Sequence, residues 1–256
     1  MRKLLLGAAG LVAAMSVTAP ASAADMGVPY TKAPVMTPAY YDWSGFYIGL
    51  NGGGGSARKC WDMVSNAGVP VVPAFREGCH DATGGLAGGQ IGYRWQWASS
   101  WVFGIEAQGD WADLKGSNAS AFPFVVATTN QSKVNSFGLF TGQVGYAWNN
   151  VLWYVKGGGA VVDDRYTGIV TATNIALDQV NDTRWGGTVG TGVEFSFALN
   201  WSVAVEYDHL FMGSRTQNFT STVAGAFTRS DSIKQDLDIG TVRVNYRWGG
   251  PVIAKY

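Results

Sequence analysis

The chain has 256 residues and a formal net charge of zero, with 47% hydrophobic, 13% aromatic and only 14% charged residues. An average globular domain is about one-quarter charged, so this balance excludes a basic nucleic-acid binder and an acidic disordered tail. The 35 glycines and 11 tryptophans favour closely packed strands and interfacial aromatics over an ordinary helical enzyme, and one all-β domain accommodates this length.

Arg2 and Lys3 precede an apolar run from Leu4 to Val17, and Ala21-Ser22-Ala23 offers a small-x-small cleavage site. This pattern predicts a signal peptide over 1–23 and a mature chain that begins at Ala24, outside the cytoplasm. An uncleaved anchor would need a longer apolar stretch. No later segment is continuously apolar over the ~18 residues of a spanning helix, so any membrane crossing must be made by strands. Residues 24–42, with Pro29, Pro34 and Pro38 and no periodicity, read as an extended periplasmic linker.

From Trp43 onward, segments of alternating polarity fall at 43–55, 84–96, 101–113, 134–148, 151–162, 184–196, 201–210 and 236–248. Their connections alternate in length. Those at 97–100, 149–150 and 197–200 are short, whereas 56–83, 114–133, 163–183 and 211–235 are long. Short periplasmic turns and long extracellular loops on an even number of strands are the pattern of an outer-membrane barrel. The expectation is therefore an all-β fold, an eight-stranded antiparallel transmembrane β-barrel over 43–248 with a C-terminal tail at 249–256. Leu237 and Ile239 stand out of phase with Val242 and Val244, which suggests a bulge near Gly240-Thr241.

The first long excursion carries Cys60 and Cys79, the only cysteines. An even count in an exported chain predicts a disulfide, worth on the order of 3 kcal/mol by loop closure. Their spacing fits no zinc motif and no metal site is expected; His80, next to Cys79, has no partner at ligand spacing.

The faces of the strands decide the solvent on each side. Trp101, Phe103, Ile105, Ala107 and Trp111 alternate with Val102, Gly104, Glu106, Gln108 and Asp110, giving one apolar and one polar face. Alternation alone also suits a soluble sandwich or a lipocalin-like barrel. The tryptophans separate the two. Trp95, Trp101, Trp148, Trp153, Trp201 and Trp248 all stand beside the short turns in the phase of the apolar face, as an aromatic girdle at a bilayer interface does.

With the apolar face on lipid, Arg94, Glu106, Asp110, Lys156, Arg184, Glu194, Glu206, Asp208, Arg243 and Arg247 point inward. An eight-stranded barrel is just wide enough for its own side chains, and isolated buried charges are costly. These residues are expected to form a lumen network of ion pairs that plugs the barrel, the alternative being a narrow charged conduit. The glycine runs at 52–55, 84–89, 157–159 and 186–192 precede no helix, so they read as small residues at crowded strand positions and not as phosphate loops.

The stretch Trp43-Ser44-Gly45-Phe46-Tyr47-Ile48-Gly49-Leu50-Asn51, after Lys32-Ala33-Pro34, resembles the small outer-membrane immunogenic proteins of alphaproteobacteria, a porin-like family with the OmpA-type eight-stranded barrel. Val242-Arg243-Val244-Asn245-Tyr246-Arg247-Trp248 is similar to that family's last strand, which carries the signal for the barrel-insertion machinery; here Gly249-Gly250-Pro251 follows, and either Trp248 or Tyr256 supplies the terminal aromatic. The resemblance implies no catalytic residues. It implies a cell outer-membrane protein of Gram-negative bacteria with roles in envelope integrity, surface antigenicity and loop-mediated contact with a host or envelope partner.

The alternatives are a narrow porin for small solutes and, by resemblance only, a haem-binding surface protein with His80 as the candidate ligand; no cofactor is otherwise expected. Catalysis on outer-leaflet lipid would have to use His209, but Ser214 and Thr216 lie beyond its strand and no acid in the same phase stands close by in sequence.

Overall fold

Asn149 adopts a left-handed backbone (φ 54°), a conformation asparagine tolerates, and this reverses the chain so sharply that Trp148 pairs with Val151 and Tyr146 with Trp153. Reversals of this kind generate the whole architecture. The computed structural model describes residues 41–248. Within it, eight antiparallel strands close into a barrel: β1 (Gly45–Asn66), β2 (Val69–Trp97), β3 (Trp101–Ala119), β4 (Thr128–Trp148), β5 (Val151–Val170), β6 (Ile175–Ser196), β7 (Trp201–Ser221) and β8 (Phe227–Trp248). Neighbours in sequence are neighbours in the ring, and β8 closes on β1 with Phe46 opposite Trp248. The expected signal peptide, most of the linker and the tail with Tyr256 lie outside the described residues.

The long excursions are mostly strand. Their tips shrink to 67–68, 120–127, 171–174 and 222–226, so the barrel continues beyond its apolar band as a tube. Two seams interrupt that tube. β2 pairs with β3 only from the Thr83–Lys115 pair toward the short turns, and the β6–β7 ladder is broken between Gln179–Thr220 and Gly187–Phe211.

Outside, the rings of Trp101 and Trp111 bracket the band, with Phe103, Ile105, Ala107 and Gly109 between them. Ten residue steps at about 3.3 Å, tilted by about 40°, rise about 25 Å, the height of the apolar band on a transmembrane barrel. The six girdle tryptophans all face outward at the short-turn end. They stack with neighbours such as Tyr146, whose ring meets Trp101 edge-on at 5.5 Å, and Tyr246, which meets Trp248 at 5.0 Å.

Two expectations need correction. Gly240 and Thr241 pair without a register shift against Gly54 and Gly53 on β1 and against Tyr207 and Glu206 on β7, so no bulge is present. Leu237 and Ile239 instead point inward, in the phase of Thr241 and Arg243, and are buried. Strand β1 also begins at Gly45 and not at Trp43. Trp43 is buried against Val102, Ala147, Leu152 and Tyr154 at the short-turn end, where its indole Nε1 donates to the Asn149 carbonyl at 2.9 Å.

Candidate functional site in the barrel interior

The inward residues form successive layers along the axis. Nearest the short turns, Arg247 donates to the carbonyls of Asp42 and Ser44, and its guanidinium lies 4.7 Å from the centre of the Tyr41 ring. Arg247 therefore fastens the segment that carries Trp43 instead of joining the other charges.

The next layer gathers charges from six strands. Arg243 contacts Glu106 at 2.7 Å and also Glu206. Lys156 lies 2.7 Å from Glu206, 3.2 Å from Asp208 and 3.5 Å from Glu106. Arg94 meets Glu194 at 2.8 Å, and Asn245 donates to the same carboxylate at 3.1 Å. Tyr47 donates to Glu106 at 2.7 Å and Tyr154 to Glu206 at 2.5 Å. Glycines make room for those two rings: a Cβ on Gly92 would lie 2.5 Å from the Tyr47 hydroxyl, and one on Gly192 would lie 2.5 Å from that of Tyr154. Asp110 accepts from Gln108 at 2.8 Å and has no ion-pair partner among the described residues. Carboxylates outnumber cations in this layer.

Above it the lining turns apolar. Leu86, Leu114, Phe137, Leu139, Val162, Leu210, Leu237 and Ile239 belong to one buried cluster across the axis. The sequence pattern concealed this layer because the outward residues become polar at the same height, as Asp236 and Asp238 do on β8.

A second polar layer lies farther out, and Arg184 belongs here, apart from the first network. It pairs with Asp182 at 2.8 Å and donates to the Tyr166 hydroxyl at 3.1 Å. Lys59 meets Asp164 at 2.6 Å and Gln235 at 2.9 Å. Burial pushes the Lys59 ammonium down to about 8, although Asp164 opposes the shift. Trp61, Tyr166, Phe219 and Ile233 then pack beneath the tips, where Arg229 contacts Glu77 at 3.0 Å, Asp178 at 3.2 Å and Asp231 at 3.4 Å. Burial raises the Asp231 carboxyl to about 7; Arg229 opposes this, and the nearby Glu77 and Asp178 add to it. None of these groups except Arg184 was legible as a site, because they lie in the long excursions, outside the strands whose alternation set the two faces, even where 166–173 and 211–235 read as strand extensions. The alternation Lys59, Trp61, Met63 inward against Arg58 and Asp62 outward was the available signal.

Cys60 and Cys79 stand opposite each other on β1 and β2 and are joined as a disulfide. His80 is buried between the strands, its Nδ1 2.7 Å from Asn118 Oδ1 and its Nε2 3.0 Å from Ser132 Oγ. With both ring nitrogens engaged, His80 is not placed to ligate haem. His209, contrary to expectation, does have an acid: its Nδ1 is 2.7 Å from Asp238 Oδ1 on β8. Its other cross-strand neighbour is Val189, so no nucleophile stands opposite the ring.

This geometry can be set beside known proteins. Residues 9–248 match the model of the outer membrane protein β-barrel domain. The 31 kDa outer-membrane immunogenic protein of Brucella melitensis is 32% identical over 216 residues, covering 80% of this chain and 85% of that one. The 25 kDa outer-membrane immunogenic protein of Brucella abortus is 26% identical over 240 residues, covering 94% and 96%. Among solved structures, the outer membrane protease OmpT of Escherichia coli superimposes with a TM-score of 0.52 at 8% identity, covering 83% of this chain and 99% of that one, a likeness of fold alone. The apolar band, the closed ring and these matches agree: the chain is a cell outer-membrane protein and belongs to the outer membrane protein β-barrel family.

Proposed function

We infer that the protein is a closed, non-catalytic barrel whose interior serves stability and whose extracellular tube serves surface contact. The observation that carries this reading is the stacking of an ion-paired layer around Arg243 beneath an apolar layer around Leu237 and Ile239. A hydrated ion on the axis would have to displace paired side chains and then cross a layer that offers it no polar partner, at a cost of several kcal/mol.

The tube supports the second half of the reading. Its tips and the strand ends beside them expose Val72, Val125, Ile175 and Val223, apolar surface of the kind that marks partner sites. Surface antigenicity and contact with a host or envelope partner are assigned to these tips, and recognition by the insertion machinery to β8. A narrow path selective for cations is the second reading, favoured by the excess of carboxylates beside Lys156 and Arg243. Release of potassium from loaded proteoliposomes tests the choice. Rates equal to protein-free liposomes support the closed barrel, and faster release of potassium than of chloride supports the path.

A further inference from the structure

Just beyond the apolar band, the strand registers line up three cations on the outer surface. Lys115 on β3 lies opposite Lys133 on β4, and Lys133 lies opposite Arg165 on β5. Lys115 and Arg165 are exposed and Lys133 is half-exposed. Like charges directly opposite across strands are destabilising, so such a row calls for an anion.

The protein supplies only part of one. Asp113 lies 2.8 Å from the Lys115 ammonium and 3.2 Å from that of Lys133. Arg165 donates from Nε to the neutral Asn181 at 3.1 Å. Asp163, one row nearer the membrane, accepts from Asn135 at 3.1 Å and Thr183 at 3.3 Å. The opposite side of the ring is built differently. There Arg58 lies between Asp81 on β2 and Asp236 on β8, so cation and acid alternate.

Height identifies the occupant. Trp111, four residues before Lys115 on β3, marks the outer edge of the band, so the row stands where charged headgroups meet the barrel wall. Below it, Gly109, Gly138 and Val161 lie side by side and end at Trp185. That strip is apolar and low, suited to acyl chains.

We propose that Lys115, Lys133 and Arg165 form a binding site for the phosphate groups of a phosphorylated glycolipid in the outer leaflet. The lysines act as point charges on phosphate, and the unused guanidinium donors of Arg165 offer a fork that matches phosphate oxygens.

The test uses the full chain refolded into phosphatidylcholine vesicles containing bisphosphorylated lipid A. Lipid retained after detergent extraction is counted by native mass spectrometry, and folding is checked by heat-modifiable migration. Wild type is expected to retain about tenfold more lipid A than the combined variant Lys115→Gln, Lys133→Gln, Arg165→Gln, and to ignore dephosphorylated lipid A. Arg58→Gln, on the side where cation and acid alternate, should behave as wild type. Asp113→Asn, which frees both ammonium groups, should increase retention. Equal retention by wild type and the combined variant, or equal retention of the two lipids, overturns the proposal. Should the combined variant not fold, a failure of Asp113→Asn to raise retention overturns it instead.

Discussion

Arg243 on β8 and Glu106 on β3 meet inside the barrel at 2.7 Å, with both side chains withdrawn from solvent. Glu206 also leans on the same guanidinium. Removing one partner of a buried pair leaves an uncompensated charge, which costs about 3–5 kcal/mol. Arg243→Leu is therefore expected to lower the urea midpoint of the refolded barrel markedly, read by loss of heat-modifiable migration. An unchanged midpoint would remove Arg243 from any structural role.

The disulfide acts on a different part of the molecule. Beyond Thr83 the regular ladder between β2 and β3 gives way to isolated bonds such as that from the Ala121 N–H to the Glu77 carbonyl at 2.9 Å, and the Cys60–Cys79 bond ties this loosely paired extension to β1. Replacing both cysteines by serine should loosen the tube while leaving the girdle region intact, with a loss of up to about 3 kcal/mol by chain entropy. Limited trypsin digestion reads this directly. Cleavage after the exposed Arg76 should accelerate in the variant, and the membrane-embedded core fragment should stay protected.

Asp231 gives the tip a pH dependence whose sign is fixed. Its carboxyl titrates at about 7 in the folded tube against the ordinary 3.8, so the folded state holds the extra proton between those values. Stability of the tip accordingly falls as pH rises from about 4 to about 7 and is level above that. Asp231→Asn should remove the dependence and protect the tip most above pH 7. Hydrogen exchange at residues 229–235, corrected for intrinsic rates, checks it: wild type should be better protected at acidic than at alkaline pH, and the variant equally protected at both.

The membrane part of the fold was legible because one physical rule governs it. Lipid outside and a polar lumen inside impose strict alternation from Trp101 to Trp111 and from Trp201 to Tyr207, and interfacial rings mark the short turns. Over the layer next to the band the rule inverts. On β8 the outward residues become Asp236 and Asp238 while Ile233, Leu237 and Ile239 turn inward, and this change of polarity looks like a slip of phase when read along one strand. The inversion recurs at Leu114 against Lys115, and at Val162 against Asp163, at the same height. Pairing between distant strands, such as Arg229 with Glu77, and the contact of His209 with Asp238 depend on ring closure and register, which a single sequence does not display.

Single-channel recording of the refolded, heat-modifiable protein in planar bilayers tests the closed barrel most directly. A silent membrane is expected, because the layer around Arg243 and the apolar layer around Leu237 both block the axis. Steady openings selective for cations would contradict it and would mean that the excess carboxylates beside Lys156 line a conducting path.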